Sequence, residues 1–176
     1  MTFDLYARKP KKRAHLAFQN VAWRPVWDYC VTRHRELAEK IHSPIGVEGG
    51  HYNGGAYFKA EDALALGNQL NLDAEEGVLH IYARLHADIL DNLPDQSCHL
   101  CQGTGVRTDS VGMRLAFHDK ALEDRIAQQV GRTYGFCNAC LGLGTLKHPA
   151  RDYYIDPDHI LLFADFACQS GGFEIK

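Results

Sequence analysis

The chain has 176 residues and a mass of 19.7 kDa, about the size of one domain with a modest insertion, which excludes a large multidomain machine. Its content of 45% hydrophobic and 23% charged residues is that of a globular protein and excludes a disordered, collagen-like or coiled-coil chain. The formal net charge is -3, but residues 8–13 carry five positive charges and the remainder has 14 bases against 22 acids. The longest apolar run, residues 160–164, is too short for a transmembrane helix, and no secretory apolar segment follows the basic cluster. We therefore expect a cytoplasmic protein with no membrane partner.

The N-terminal part is predicted to form a strand, a helix and a long loop. Residues 2–6 alternate in polarity, which predicts a short strand. Apolar residues then recur at spacings of three and four, which predicts a helix from Trp23 with Pro25 in its first turn. This series consists of Trp23, Val26, Trp27, Cys30, His34, Leu37 and Ile41. Residues 42–55 contain five glycines and predict a long loop.

Two more helices are predicted between residues 61 and 94. The first starts near Glu61, because the charges of Glu61 and Asp62 favour a helix N-terminus. The second is opened by the capping pattern Asp73-x-x-Glu76 and is ended by Pro94. Its expected buried face consists of Val78, Ile81, Tyr82, Leu85, Ile89 and Leu93.

The C-terminal part is predicted to contain an inserted module and then a strand, a helix and a strand. Residues 95–146 are dense in Cys and Gly, with a helical stretch at 119–130, and we interpret them as the module. Residues 152–155 predict a strand, and Asp156 and Pro157 predict a capped helix that Gly171 and Gly172 end before a strand at 173–175. The fold class is therefore expected to be α+β. A small, mostly helical body with a short sheet would comprise residues 1–94 and 147–176, and residues 95–146 would form the inserted module.

The pattern Cys-x-x-Cys-x-Gly-x-Gly occurs twice, at residues 98–105 and 137–144. Two residues between cysteines let one turn present both sulfurs to one ion, and two such turns complete the four-sulfur tetrahedron that zinc prefers. The glycines allow positive φ angles where the chain reverses around the metal. A redox thiol pair is disfavoured, because these glycines prevent the helix at whose start such a pair usually lies. We predict one structural zinc ion per chain, with the ligands Cys98, Cys101, Cys137 and Cys140.

These two units resemble the cysteine-rich zinc module of DnaJ-type co-chaperones, in which the unit occurs four times and binds two zinc ions. The resemblance implies zinc coordination by the four cysteines of the two units. Two units supply ligands for one ion only. The His-Pro-Asp signature of the J domain is also missing, since His148 and Pro149 are followed by Ala150. Activation of an Hsp70-type partner is therefore not implied.

A second resemblance concerns the order of motifs along the whole chain. The series runs from the Trp-Arg-Pro-Val-Trp segment at 23–27 through Asn-Gly-Gly at 53–55 and the cysteine units to the ending at 170–175. It is similar to a group of small bacterial and phage proteins. This resemblance suggests a phage or prophage accessory protein and implies no activity.

Catalysis has little support in the sequence, which holds no nucleophile elbow, phosphate loop, dinucleotide fingerprint or His-Glu-x-x-His string. A zinc ion closed by four cysteines offers no open position to a substrate. The polar residues His42, His51 and Asn53 lie in or beside the glycine-rich loop, and loops often carry function. We expect no catalytic residues, while an enzyme with a site in the 42–55 loop remains the second alternative.

The distribution of acids and bases along the chain favours a protein-binding protein over a nucleic-acid-binding protein. Residues 61–95 contain eight acids and one base, Arg84, and such a surface attracts a basic protein. The acids expected to bind the partner are Asp73, Glu76, Asp88 and Asp91. They are expected to lie opposite a buried stripe that also includes Leu64. We therefore predict a zinc-stabilised, non-enzymatic protein-binding module that acts on a host protein.

The alternative is a nucleic-acid-binding protein that uses a basic N-terminal arm. The cations of this arm are Arg8, Lys9, Lys11, Lys12 and Arg13. The zinc module itself is a poor candidate for reading DNA, because residues 98–146 contain five bases and four acids, and four thiolates with one zinc add -2.

Overall fold

The computed structural model describes residues 2–107, 111 and 137–176. The chain divides into two compact units, one formed by Met1–Asp91 with Asp152–Lys176 and the other by Asn92–Arg151. The first unit combines helices with a four-stranded sheet, which confirms the predicted α+β class. The helix predicted at 119–130 lies outside the described residues.

The described elements of the two units are six strands and five α-helices. The strands are β1 (Thr2–Ala7), β2 (His15–Gln19), β3 (Ala56–Phe58), β4 (Gln96–Ser97), β5 (Thr145–Leu146) and β6 (Phe173–Ile175). The helices are α1 (Asn20–Arg33), α2 (Arg35–Ala38), α3 (Ala60–Glu75), α4 (Val78–Asp91) and α5 (Pro157–Gln169). Short 3-10 helices occupy Gly46–His51 and Pro149–Asp152.

The sheet of the first unit has the strand order β2-β1-β6-β3, and every neighbouring pair is antiparallel. Alternate residues face the core, and these are Phe3, Leu5, Leu16, Phe18, Ala56, Phe58, Phe173 and Ile175. Of these strands the sequence predicted β1 and β6 but not β2 and β3, which follow loop-forming runs. The strand predicted at 152–155 is wrong, because Asp152 ends a 3-10 turn and residues 153–155 pair with no strand.

Helix α1 anchors the core with its two tryptophans. It begins at Asn20, before the predicted start, so that Pro25 lies inside the helix. It ends at Arg33 because His34 leaves the helical conformation with φ -130°. Trp23 and Trp27 are fully buried as predicted, and their ring centres lie 6.1 Å apart.

The boundary between α3 and α4 differs from the prediction. Asp73 lies inside α3, and α4 begins at Val78 after Gly77, whose φ of 75° favours glycine. The pattern Asp73-x-x-Glu76 therefore opens no helix.

The predicted buried face of α4 is only partly right, since Tyr82 packs against the core but three of the other predicted residues are exposed. The buried residues are Leu79, Ala83 and Leu90, whereas Ile81, Leu85 and Ile89 are exposed. Apolar residues occupy two faces of this helix, so periodicity alone allows either to be buried. Leu64 of α3, expected on the same buried stripe, is 45% exposed.

Helix α5 begins as predicted, since the Oδ1 atom of Asp156 accepts a hydrogen bond of 2.9 Å from the Asp158 amide. It packs closely on α3 at Gly67, where a Cβ atom would lie 2.6 Å from the Cys168 sulfur. Cys30 is fully buried as predicted, but Cys168 is only partly buried. Within the described ranges, no helix has both the length and the apolar character needed to cross a membrane.

Candidate metal centre

The two cysteine motifs, which both lie in the second compact part of the chain (Asn92–Arg151), bring four buried sulfur atoms together. The Sγ atoms of Cys98, Cys101, Cys137 and Cys140 all lie within 4.8 Å of one another. The Sγ atoms of Cys98 and Cys137 are 3.8 Å apart, and those of Cys101 and Cys140 are 3.7 Å apart. A disulfide would require about 2.05 Å. Around a tetrahedral zinc ion with bonds of about 2.3 Å, neighbouring sulfurs lie about 3.8 Å apart. The cluster can therefore hold a metal ion.

Each unit turns a backbone amide toward its second cysteine. The amide of Gly105 donates to the Cys101 sulfur and the amide of Gly144 donates to the Cys140 sulfur, both at 3.2 Å. These glycines have φ angles of 74° and 79°, which confirms the predicted reason for their presence. The donated hydrogen bonds stabilise negative charge on sulfur and orient the ligands.

The two cysteine motifs, residues 98–105 and 137–144, also form backbone hydrogen bonds with each other. The amide of Cys98 donates to the Gly144 carbonyl and the amide of Cys137 donates to the Gly105 carbonyl, both at 2.8 Å. A Cβ atom on Gly105 would lie 2.3 Å from the Gly142 carbonyl oxygen. The glycines are therefore required by the contact between units as well as by their φ angles, and sequence reasoning missed this contact.

The thiols of the cluster differ in acidity when no metal is bound. Burial raises the pKa of Cys140 to about 12. Burial acts in the same direction on Cys98, but hydrogen bonds from the backbone amides of Cys101 and Leu100 outweigh it and lower the pKa to about 7. A divalent cation favours the thiolate form of all its ligands, so metal binding would be accompanied by proton release.

The four acids predicted to bind a partner do not all lie on the surface. Glu76, Asp88 and Asp91 are exposed. Asp73 is only 3% exposed, which corrects its assignment to a partner surface. Its Oδ2 atom accepts hydrogen bonds from Tyr29 Oη at 2.5 Å and from His34 Nε2 at 2.6 Å. Asp73 is thus an internal acceptor.

This internal cluster perturbs the acidity of its members. Burial acts to raise the pKa of Asp73, but the hydrogen bonds from Tyr29 and His34 outweigh it and lower the pKa below its ordinary value. Burial, and then the hydrogen bond to Asp73, raises the pKa of Tyr29. Sequence reasoning missed the cluster, because its partners are 44 and 39 residues away from Asp73 along the chain.

The glycine-rich loop packs against the two tryptophans of α1. The indole of Trp23 donates to the Gly50 carbonyl at 2.7 Å. A Cβ atom on Gly50 would lie 2.0 Å from the Trp27 ring, so this glycine is required by packing.

The polar residues of this loop each have a different partner. His42 stacks on Tyr57, and the Nδ2 atom of Asn53 donates to the Thr2 carbonyl. The Nε2 atom of His51 lies 3.3 Å from Asp28. Burial raises the pKa of Asp28, although His51 acts to lower it.

The predicted basic arm is the loop of a β-hairpin between β1 and β2. Its backbone is tied to the end of α5, since the amides of Arg8 and Lys9 donate to the carbonyls of Gly172 and Ser170 at 2.7 and 2.8 Å. The amide of Lys11 donates to the Gln169 carbonyl at 2.9 Å. All five cations of this basic hairpin loop (residues 8–13) are exposed.

Comparison with known proteins adds no relative. The chain matches no protein-family model, no curated protein and no solved structure. The likeness to the DnaJ-type module therefore rests on the two cysteine units themselves.

Proposed function

We propose that the protein is a non-enzymatic protein-binding module stabilised by one zinc ion. The observation that carries the protein-binding proposal is an apolar stripe on the exposed side of α4. This α4 stripe consists of Ile81, Leu85 and Ile89, which are 54%, 53% and 63% exposed. A spacing of four residues places the three side chains on one helix face. Contiguous exposed apolar surface of this kind marks interaction sites.

Zinc is the metal that we propose for the four-sulfur cluster. A tetrahedral set of four thiolates suits zinc or iron. All four positions are supplied by the chain, as in structural zinc sites, so the ion would hold residues 98–105 against 137–144 without taking part in a reaction. The separate partners of His42, His51 and Asn53 support the non-enzymatic proposal.

The partner that we propose is a basic amphipathic helix of a host protein. Asp88 and Asp91 lie beside the α4 stripe, and the acids of residues 61–95 outnumber the single base Arg84. An apolar helix face bordered by Lys and Arg would cover the stripe and bring its cations close to these exposed acids. The resemblance to phage proteins is the reason for proposing a host protein.

Elemental analysis of the purified, reduced protein tests the zinc part of the proposal. We expect one zinc per chain and a protein that loses it to a strong chelator. Two metal ions per chain, or none in a folded sample, would contradict the assignment. Iron in place of zinc would retain the ligands but overturn the choice of metal.

Binding experiments with matched variants test the role of α4. The triple variant Ile81→Ser/Leu85→Ser/Ile89→Ser should lose a stoichiometric partner that the wild-type protein retains from host extract. Val21→Ser changes an apolar side chain of α1 that is 39% exposed and should retain the partner. The partner's binding segment, mapped by cross-linking to α4, should be a helix rich in Lys and Arg. An acidic segment, or equal loss in both variants, would refute this surface.

A further inference from the structure

The outer face of the four-stranded sheet carries a row of five side chains, of which four are aromatic rings and the central one is Glu174. The strand register places His15 beside Tyr6, then Glu174 and then Tyr57. An isolated bridge adds His42 beside Tyr57. At about 4.8 Å per strand, this aromatic row is about 19 Å long. None of its five side chains is buried, and Tyr6 is 44% exposed.

The rings of the aromatic row make contact in two pairs, of which Tyr57 and His42 are stacked and Tyr6 and His15 are tilted by 31°. The ring centres of Tyr6 and His15 lie 4.8 Å apart. His42 stacks on Tyr57 at 4.7 Å with an angle of 9° between the planes. The guanidinium carbon of Arg8 lies 4.1 Å from the centre of the Tyr57 ring. Aromatic rings and guanidinium planes are the surfaces on which unpaired nucleobases stack.

The acids near the aromatic row are paired within the sheet. Asp4 lies 2.7 Å from the His15 ring nitrogen, and Glu174 lies 3.4 Å from the Lys176 ammonium. These contacts reduce the repulsion that the two carboxylates would exert on a polyanion.

The basic hairpin loop begins directly beyond the pair formed by Tyr6 and His15. Its Lys9, Lys11, Lys12 and Arg13 side chains form no ion pair with any carboxylate of the described residues. The backbone hydrogen bonds to residues 169–172 hold this loop beside the row. A Cβ atom on Gly171 would lie 2.7 Å from the Lys9 carbonyl oxygen, so the close approach depends on glycine. Cations that have no carboxylate partner among the described residues therefore lie at one edge of this row.

We propose that this face binds a single-stranded nucleic acid, with bases on the aromatic row and phosphates on the basic hairpin loop. Stacking on protein rings requires bases that are not already paired, which favours a single strand over a duplex. Charge complementarity comes from the exposed lysines of the loop. This site is separate from the α4 stripe and does not depend on the proposed protein partner.

Fluorescence anisotropy of a fluorescein-labelled oligothymidylate with the intact, zinc-loaded protein tests this proposal. Affinity should fall steeply as salt rises from about 50 to 200 mM. The variant Lys9→Ala/Lys11→Ala/Lys12→Ala should bind more weakly, and its slope of log Kd against log salt should be smaller by about 2. Arg35→Ala/Lys40→Ala, which removes two exposed cations elsewhere, should leave the slope unchanged.

Variants of Tyr6 separate base stacking from attraction by charge alone. Tyr6→Ala should weaken binding about tenfold, whereas Tyr6→Phe should retain it because the ring remains. Far-UV circular dichroism melts and zinc content would confirm that both variants fold like the wild-type protein.

Three results would overturn the proposal. The first is no binding of the oligothymidylate at low salt. The second is a duplex of the same length that binds as tightly as the single strand. The third is a pair of results: Tyr6→Ala binds as tightly as the wild-type protein, and heparin displaces the labelled oligothymidylate as well as unlabelled oligothymidylate does. This pair would indicate a site for polyanions only.

Discussion

The Nε2 atom of His34 lies 2.6 Å from the Oδ2 atom of Asp73, although the two residues are 39 positions apart in the chain. Tyr29 donates to the same oxygen at 2.5 Å. Because His34 also terminates α1, this contact ties the end of α1 to the last turn of α3. The charge of Asp73, which the composition suggested was a surface charge, therefore stabilises the fold.

Removing the Asp73 carboxylate should destabilise the protein substantially. Asp73→Ala leaves the Tyr29 hydroxyl and the His34 ring without their acceptor, and we expect the free energy of unfolding to fall by about 3 kcal/mol. Urea denaturation measures this change. Glu36→Gln, at an exposed acid of α2, should change it by less than about 0.5 kcal/mol. Equal stability of the two variants would show that the buried contacts contribute little.

The same carboxylate predicts an acid-dependent loss of stability. The folded state lowers the pKa of Asp73 below 3.8, because the hydrogen bonds from Tyr29 and His34 outweigh the effect of burial. The stabilisation is therefore fully present above pH 3.8 and is lost as the pH falls through the lower, folded value. The difference in urea midpoint between wild type and Asp73→Asn should shrink over this range. A constant difference down to the lowest pH that permits folding would contradict the linkage.

Substitution of single cysteines should distinguish the zinc ligands from the other thiols. Cys137→Ser removes one of four sulfurs, so we expect loss of bound zinc and a lower melting temperature. Cys168→Ser changes a partly buried thiol outside the cluster and should keep its zinc. Elemental analysis and thermal melts measure both effects. Zinc loss from Cys168→Ser would show that the ligand set is wrong.

The glycine that joins the two cysteine units should be intolerant of a methyl group. In Gly144→Ala, the new Cβ atom would lie 2.4 Å from the Gly103 carbonyl oxygen at a φ angle of 79°. We expect zinc affinity to fall at least about tenfold, because the amide donor to the Cys140 sulfur is displaced. Competition with a chromophoric chelator measures the affinity. Gly54→Ala, where no atom lies within 4 Å of the Cβ position, is the control and should bind zinc like the wild-type protein.

Charge reversal beside the α4 stripe should slow association with the proposed basic partner. In Asp88→Lys/Asp91→Lys, attraction becomes repulsion, so the association rate should fall at low salt. Above physiological salt, where the screening length falls below about 8 Å, the rates of variant and wild type should converge. Surface plasmon resonance at several salt concentrations measures this effect. Identical rates at all salt concentrations would exclude electrostatic recognition by α4.

The features that the sequence predicted correctly are those formed by neighbouring residues. The cap of α5 depends on Asp156, Pro157 and the Asp158 amide alone. Strand β1 follows from its alternation of polarity, since one face lies on the core. The burial of Trp23 and Trp27 follows from their spacing of four on α1. The clustering of the four cysteines was also predicted, because each Cys-x-x-Cys-x-Gly-x-Gly unit is one local turn that presents two sulfurs to the same point.

The features that only the tertiary structure decided depend on contacts between distant segments. Ile81 and Leu79 are equally apolar, and packing of α4 against its neighbours determines which of them is buried. Asp73 resembles the acids around it until the fold places Tyr29 and His34 at its carboxylate. The aromatic row exists because β6 pairs between β1 and β3, an order that no local pattern encodes. Local chemistry determined the capacity for a metal site in this protein, whereas the choice of which apolar and charged side chains reach its surface required the assembled core.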